Sequence, residues 1–87
     1  MNADFQKQFR KKFKKLPLAL REQFYERLEL FKTNKFHPIL NNHPLSGEYL
    51  GSRSINVTGS YRAIFKEIAN ETVVFYDIDT HPKLYSS

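Results

Sequence analysis

Three histidines, His37, His43 and His81, are the side chains here whose ordinary pKa best suits proton transfer near neutral pH. Their spacing fits no common zinc motif. With no cysteine in the chain, no thiolate is available as metal ligand, nucleophile or disulfide partner. A Ser-His-Asp hydrolase can be composed on paper, but no nucleophile-elbow sequence supports it. The informative signal is a run of short blocks: HPLSGEYLGSRSINV at 43–57, GSYRAIFKE at 59–67 and VVFYDIDTHPKLY at 73–85. Within them Arg62 follows the turn pair Gly59-Ser60 into a strand, a poor place for a residue of the core alone. A structural ion pair with Glu67, Glu71 or Asp77 is its competing use. His81 and Tyr85, four residues apart, close the last strand. Such residues can move a proton and hold an anion, and by themselves they do not say which reaction follows.

The elements that must position them come from periodicity. Phe5, Phe9 and Phe13 recur every fourth residue, which predicts an amphipathic helix over 4–15 with Asp4 favouring its start. Lys7, Arg10, Lys11, Lys12, Lys14 and Lys15 form its opposite face. Pro17 ends this helix and suits the first position of a second, over 17–33, carrying Leu20, Phe24, Leu28 and Phe31 at helical spacing. Asn34 is placed to terminate it. Residues 34–47, rich in Pro and Asn, read as a loop with a helical turn at 38–41. Strands follow at 48–50, 52–58, 61–68 and 72–79, with tight turns at Thr58-Gly59-Ser60 and Ala69-Asn70-Glu71. Period-two alternation breaks down in the last of these, so its faces stay unassigned. The expected fold is α+β: an N-terminal helix hairpin packed on a three- to four-stranded antiparallel sheet.

A length of 87 residues, with eight Phe and five Tyr to bury, implies a single folded domain over 1–87. No apolar run is long enough for a membrane span, and the basic N-terminus lacks a following signal-like segment, so a cytoplasmic protein with no membrane partner is expected. The net charge of +5 fits an acidic partner, either nucleic acid or protein, with a plain soluble basic protein as the alternative.

Taken together, these blocks resemble the RelE/ParE toxin superfamily of bacterial toxin–antitoxin modules, and most nearly its YafQ mRNA interferase branch. His43-Pro44-Leu45, Gly47, Gly51 and the terminal Thr80-His81-x-x-x-Tyr85 resemble that branch; Tyr61-Arg62 after Gly59 resembles RelE. The likeness spans essentially the whole chain and implies a RelE-like fold. It also implies metal-independent, cofactor-free cleavage of messenger RNA on the ribosome. There the ribose 2′-hydroxyl attacks the neighbouring phosphate, leaving a 2′,3′-cyclic phosphate and a 5′-hydroxyl. By resemblance His81 is the general acid or base, Tyr85 stacks or transfers a proton, Arg62 supports the scissile phosphate and His43 contributes from its loop. Arg53, where RelE has a lysine, is a second phosphate contact, with Lys66, Lys11, Lys12 and Lys15 as further RNA contacts. The implied partners are an acidic antitoxin, forming a hetero-oligomer with an otherwise monomeric toxin, and ribosome-bound mRNA with 16S rRNA nearby. Two positions depart from the pattern: Asn56 and Ser60 stand where the YafQ branch has a histidine and an aspartate. A ParE-like inhibitor of DNA gyrase, or a non-catalytic toxin that only binds its antitoxin, therefore remains open.

Overall fold

Burying aromatic rings is what this chain's sequence demands, and the fold meets the demand with one sheet whose core-facing side is covered by two helices. The structure, a computed structural model, describes residues 1–85, with Tyr85 through its backbone alone. In chain order the elements are β1 (Asn2–Phe5), α1 (Lys7–Phe13), α2 (Leu18–Thr33), β2 (His43–Pro44), β3 (Arg53–Asn56), β4 (Tyr61–Ala69), β5 (Thr72–Thr80) and α3 (His81–Tyr85). Single 3-10 turns occupy Pro38–Leu40 and Gly47–Tyr49. The sheet has five strands in the order β1-β5-β4-β3-β2; β1 runs parallel to β5 and every other pairing is antiparallel. Among the described residues no helix is long and apolar enough to cross a membrane.

The α+β class is as expected, and the differences lie at the two ends and in the loop. Residues 2–5 form an edge strand, not the start of a helix, which makes the sheet mixed and adds a strand to it. The stripe of Phe5, Phe9 and Phe13 is nonetheless one surface. Phe5 stacks on Phe75 of β5 at 5.8 Å and meets Phe9 at 5.3 Å, and Phe9 stacks on Phe13 at 5.6 Å. Spacing by four cannot tell a helix from a strand that turns into one. Backbone pairing decides: β1 covers the N-terminal half of β5, and Gln6 N–H still donates to Phe75 O at 3.0 Å as the chain leaves the sheet. Asp4 is therefore an exposed strand residue, and Gln6 stands at the N-cap of α1. Pro17 caps α2 from outside. The expected strand at 48–50 is a 3-10 turn, whereas His43–Pro44, assigned to the loop, pairs with β3. His81 and Tyr85 lie in α3, beyond the last strand.

The broken alternation in β5 has a simple cause. Ile64 is opposite Asp77, yet the next residue, Phe65, is opposite Phe75, so Tyr76 is an extra residue in a β-bulge. Val73, Phe75 and Ile78 can then all join the main core with Ile55, Val57, Ala63 and Phe65 from the sheet and Phe9, Phe24, Leu28 and Phe31 from the helices. The opposite face carries cross-strand rows set by register: His43, Ser54, Ile64 and Asp77 in one, Asn56, Arg62 and Asp79 in the next. Ile64 and Leu84 are buried but lie outside the main core, and α3 packs against β5.

The N-terminal strand is testable by chemical denaturation. Asp4→Ala is expected to cost less than about 0.5 kcal/mol, as an exposed strand residue should, where a helix cap would cost about 1 kcal/mol. Phe5→Ala, half-buried among three rings, is expected to cost about 2 kcal/mol.

Candidate functional site

The β3–β4 turn and the start of α3 meet at one end of the sheet. His81 N–H donates to Ser60 O at 2.9 Å, which locks the first turn of α3 against the loop that precedes β4. Thr58 Oγ1 accepts from Ser60 N–H at 3.2 Å and Tyr61 N–H at 3.0 Å, so the turn is rigid before Arg62 leaves it. Arg62 is half-buried. Its Nη1 donates to the carbonyls of Thr58, Gly59 and Tyr61 at 3.0, 3.1 and 3.2 Å. Its Nε and Nη2 make no hydrogen bond, and it forms no ion pair, among the described residues. The structure therefore shows neither Glu67, Glu71 nor Asp77 as its partner. One nitrogen anchors the guanidinium and the remaining donors point elsewhere, a disposition suited to an anion.

The other residues singled out from sequence divide between two faces. His43 shares the face of Arg62; its Nδ1–H donates to Asn41 O at 2.7 Å, since a carbonyl can only accept, and Nε2 is left as the basic nitrogen. Lys66 is on this face too, with its ammonium 5.5 Å from the Tyr76 ring centre. Arg53 is on the helix side. Its Nε donates to Asn42 Oδ1 at 2.8 Å and its guanidinium lies 5.5 Å from the Phe36 ring centre, so it braces the 34–42 loop. Lys11 and Lys15 line an open depression along α1 with Lys7, Gln8 and Lys12. The His81 side chain is exposed. The side chain of Tyr85 lies outside the described residues.

A further cluster on the Arg62 face was not singled out from sequence. Asp77 is buried and Asp79 half-buried, and Lys12 reaches from α1 to hold both, at 2.8 Å and 3.2 Å. The Ser52 hydroxyl shares a hydrogen bond with the Tyr76 hydroxyl at 2.5 Å, and Tyr49 donates to Leu84 O at 2.9 Å. Burial first, and then the charge of Asp77, raise the Tyr49 phenol above its ordinary pKa. Two buried polar atoms of this face, Ser54 Oγ and Asn56 Oδ1, have no hydrogen-bond partner among the described residues. The sequence signal for the acids was Asp77-x-Asp79 just before His81, which a bulge at Tyr76 turns to the outer face. Among the described residues no three His, Cys, Asp or Glu side chains gather as a metal would require.

No family model and no curated relative matches the sequence. Solved structures do match the fold. YafQ from Escherichia coli superposes with a TM-score of 0.77 over 98% of both chains at 21% identity. A YoeB/ParE toxin from Agrobacterium tumefaciens gives 0.76 over 93% of this chain and 99% of that one at 14% identity. The E. coli RelBE toxin–antitoxin complex gives 0.68 over 91% and 94% at 20% identity. This chain has the RelE/ParE toxin fold. The likeness extends over nine-tenths or more of this chain in each of the three, at a sequence identity of 21% or less. Where the resemblance to the YafQ branch leads one to look for a histidine and an aspartate, this version of the toxin fold has the orphaned amide of Asn56 and the exposed Ser60 in the turn.

Lys12 links this face to stability. Burial opposes its charge, but the hydrogen bonds and charges of Asp77 and Asp79 together outweigh that cost, so its pKa lies above the ordinary lysine value. A raised lysine pKa stabilises the fold fully below about pH 10.5, and the contribution is lost as pH climbs through the folded value. Urea midpoints measured from about pH 8 to pH 11.5 should fall more steeply for the wild type than for Lys12→Met on the alkaline side. Parallel curves would show that the pair contributes nothing.

Proposed function

We propose that this protein is the toxin of a type II toxin–antitoxin module and cleaves messenger RNA on the ribosome as an endoribonuclease. The observation that carries the reading is Arg62, pinned by Nη1 to three turn carbonyls with Nε and Nη2 left over, beside the helix that begins with His81. A scissile phosphate would take those donors, and fixed donors stabilise charge growing on phosphoryl oxygens without reorganising. A base, with His81 and His43 Nε2 as the candidates, removes the ribose 2′ proton. The 2′-oxygen then bonds to phosphorus as the P–O5′ bond breaks. An acid returns a proton to the leaving 5′-oxygen. The products are a 2′,3′-cyclic phosphate and a 5′-hydroxyl. Asn56 Oδ1, an acceptor with no partner among the described residues, is on the same row as Arg62 and would receive a hydrogen bond from the bound nucleotide.

The exposed cations of α1 would attract RNA and an acidic antitoxin alike, without selecting sequence. Solved structures of this fold include complexes with antitoxins, among them the E. coli RelBE pair, and the proposal extends that partnership to this chain.

Inducing the protein in a translation extract and mapping new 5′ ends tests the reading. Cuts phased with codons and bearing 5′-hydroxyls are expected, with Arg62→Ala and His81→Ala each slowing cleavage by about 10²-fold or more. Growth arrest without new RNA ends, accompanied by gyrase-linked DNA breaks, would replace this reading with gyrase inhibition. Binding to the antitoxin with no effect on growth or messages would leave a non-catalytic toxin.

A further inference from the structure

Register sets Arg62 directly across from Asp79, on the same face of neighbouring antiparallel strands. Opposite charges so placed pair by default. Here they do not. Asp79 is occupied on both oxygens: Oδ1 accepts from Thr80 N–H at 2.8 Å and Oδ2 from Lys12 Nζ at 3.2 Å. Lys12 is steadied in turn by Asp77, whose Oδ1 it reaches at 2.8 Å and whose side chain is only 11% exposed. Among the described residues Lys12 is the one cation of α1 that forms an ion pair; Lys7 and Lys11 do not, and Arg10 donates instead to Phe5 O at 3.1 Å.

We propose that Lys12 is a positioning residue: by engaging Asp79 it keeps Arg62 out of a cross-strand ion pair and so leaves the guanidinium available to an RNA phosphate. The proposal rests on the functional reading above for the identity of the anion, but the competition for Asp79 stands on geometry alone. Without Lys12, Asp79 would be the nearest strong acceptor on that face. An arginine held bidentate by a carboxylate has its best donors spent.

Four variants separate this from simpler explanations. Lys12→Met should bring a guanidinium nitrogen of Arg62 within about 4 Å of Asp79 in a crystal structure, and weaken binding of a single-stranded RNA oligonucleotide about ten-fold. Lys12→Arg, which can still bridge both acids, should keep binding within about two-fold of wild type. The double variant Lys12→Met/Asp79→Asn should restore binding, because no carboxylate is left directly across from Arg62. Lys12→Met/Asp77→Asn has the same net charge but keeps Asp79, and should not restore it. Equal rescue by Asp77→Asn and Asp79→Asn would show a bulk-charge effect and overturn the proposal, as would Arg62 remaining on the turn carbonyls in Lys12→Met. If Lys12→Met fails to fold, Lys12→Gln takes its place in each comparison. A wild type that binds no RNA counts against the proposed function, while the position of Arg62 in Lys12→Met still decides whether Lys12 guards it.

Discussion

One extra residue in the last strand governs both sides of the sheet. A regular β5 would alternate strictly, and with Val73 and Phe75 in the core Asp77 would face the helices and Ile78 the outer surface. The bulge at Tyr76 reverses the phase once. Phe75 and Ile78 are then both buried with the helices, while Tyr76, Asp77 and Asp79 are delivered to the outer face. The polar cluster there, with its tyrosine–serine bond and its lysine-bridged acids, exists because of that insertion. So does the position of α3, since the strand's final phase sets the direction in which the chain leaves it.

The second constraint is the docking of β1 on β5. It covers only the first half of β5, and α1 runs on beside the second half. A helix there has one side against the core, through Phe9, and another near the sheet's outer edge, through Lys12. Had residues 2–5 been helical, as spacing alone allowed, the helix would begin elsewhere and Lys12 would not be aimed at Asp77 and Asp79. The edge strand thus helps to position Lys12, seven residues beyond its end.

What was legible in the sequence follows from these two points. The meander strands, the second helix and the phenylalanine stripe are all statements about local periodicity, and local periodicity is preserved through the fold. The turn at Thr58-Gly59-Ser60 carried the placement of Arg62 with it, because turn chemistry is local too. The parallel partner of β5 and the pairing of His43-Pro44 are long-range facts with no signature of their own in one chain, and the bulge showed only as broken alternation, without its position. Arg53 shows the consequence. Two residues before the core-facing Ile55, it must share that residue's face, and alternation counted from Ile55 would have separated it from Arg62.

The basic character of the chain therefore does several different jobs. Arg53 is spent on a loop, bound to Asn42 and stacked on Phe36. Lys35 answers Glu67 at 3.6 Å, and Lys12 answers Asp77 and Asp79. Among the outward-facing cations are the exposed lysine surface of α1 and the part-anchored guanidinium of Arg62. The first is mobile, solvated charge, which draws any polyanion and is weakened by salt. The second is a fixed donor set on a rigid turn, a geometry suited to an anion in one place only. Attraction and selection are thus assigned to different residues, and the ion pair of Lys12 lies between them, belonging to the cationic helix and acting on the face where the anion would be held.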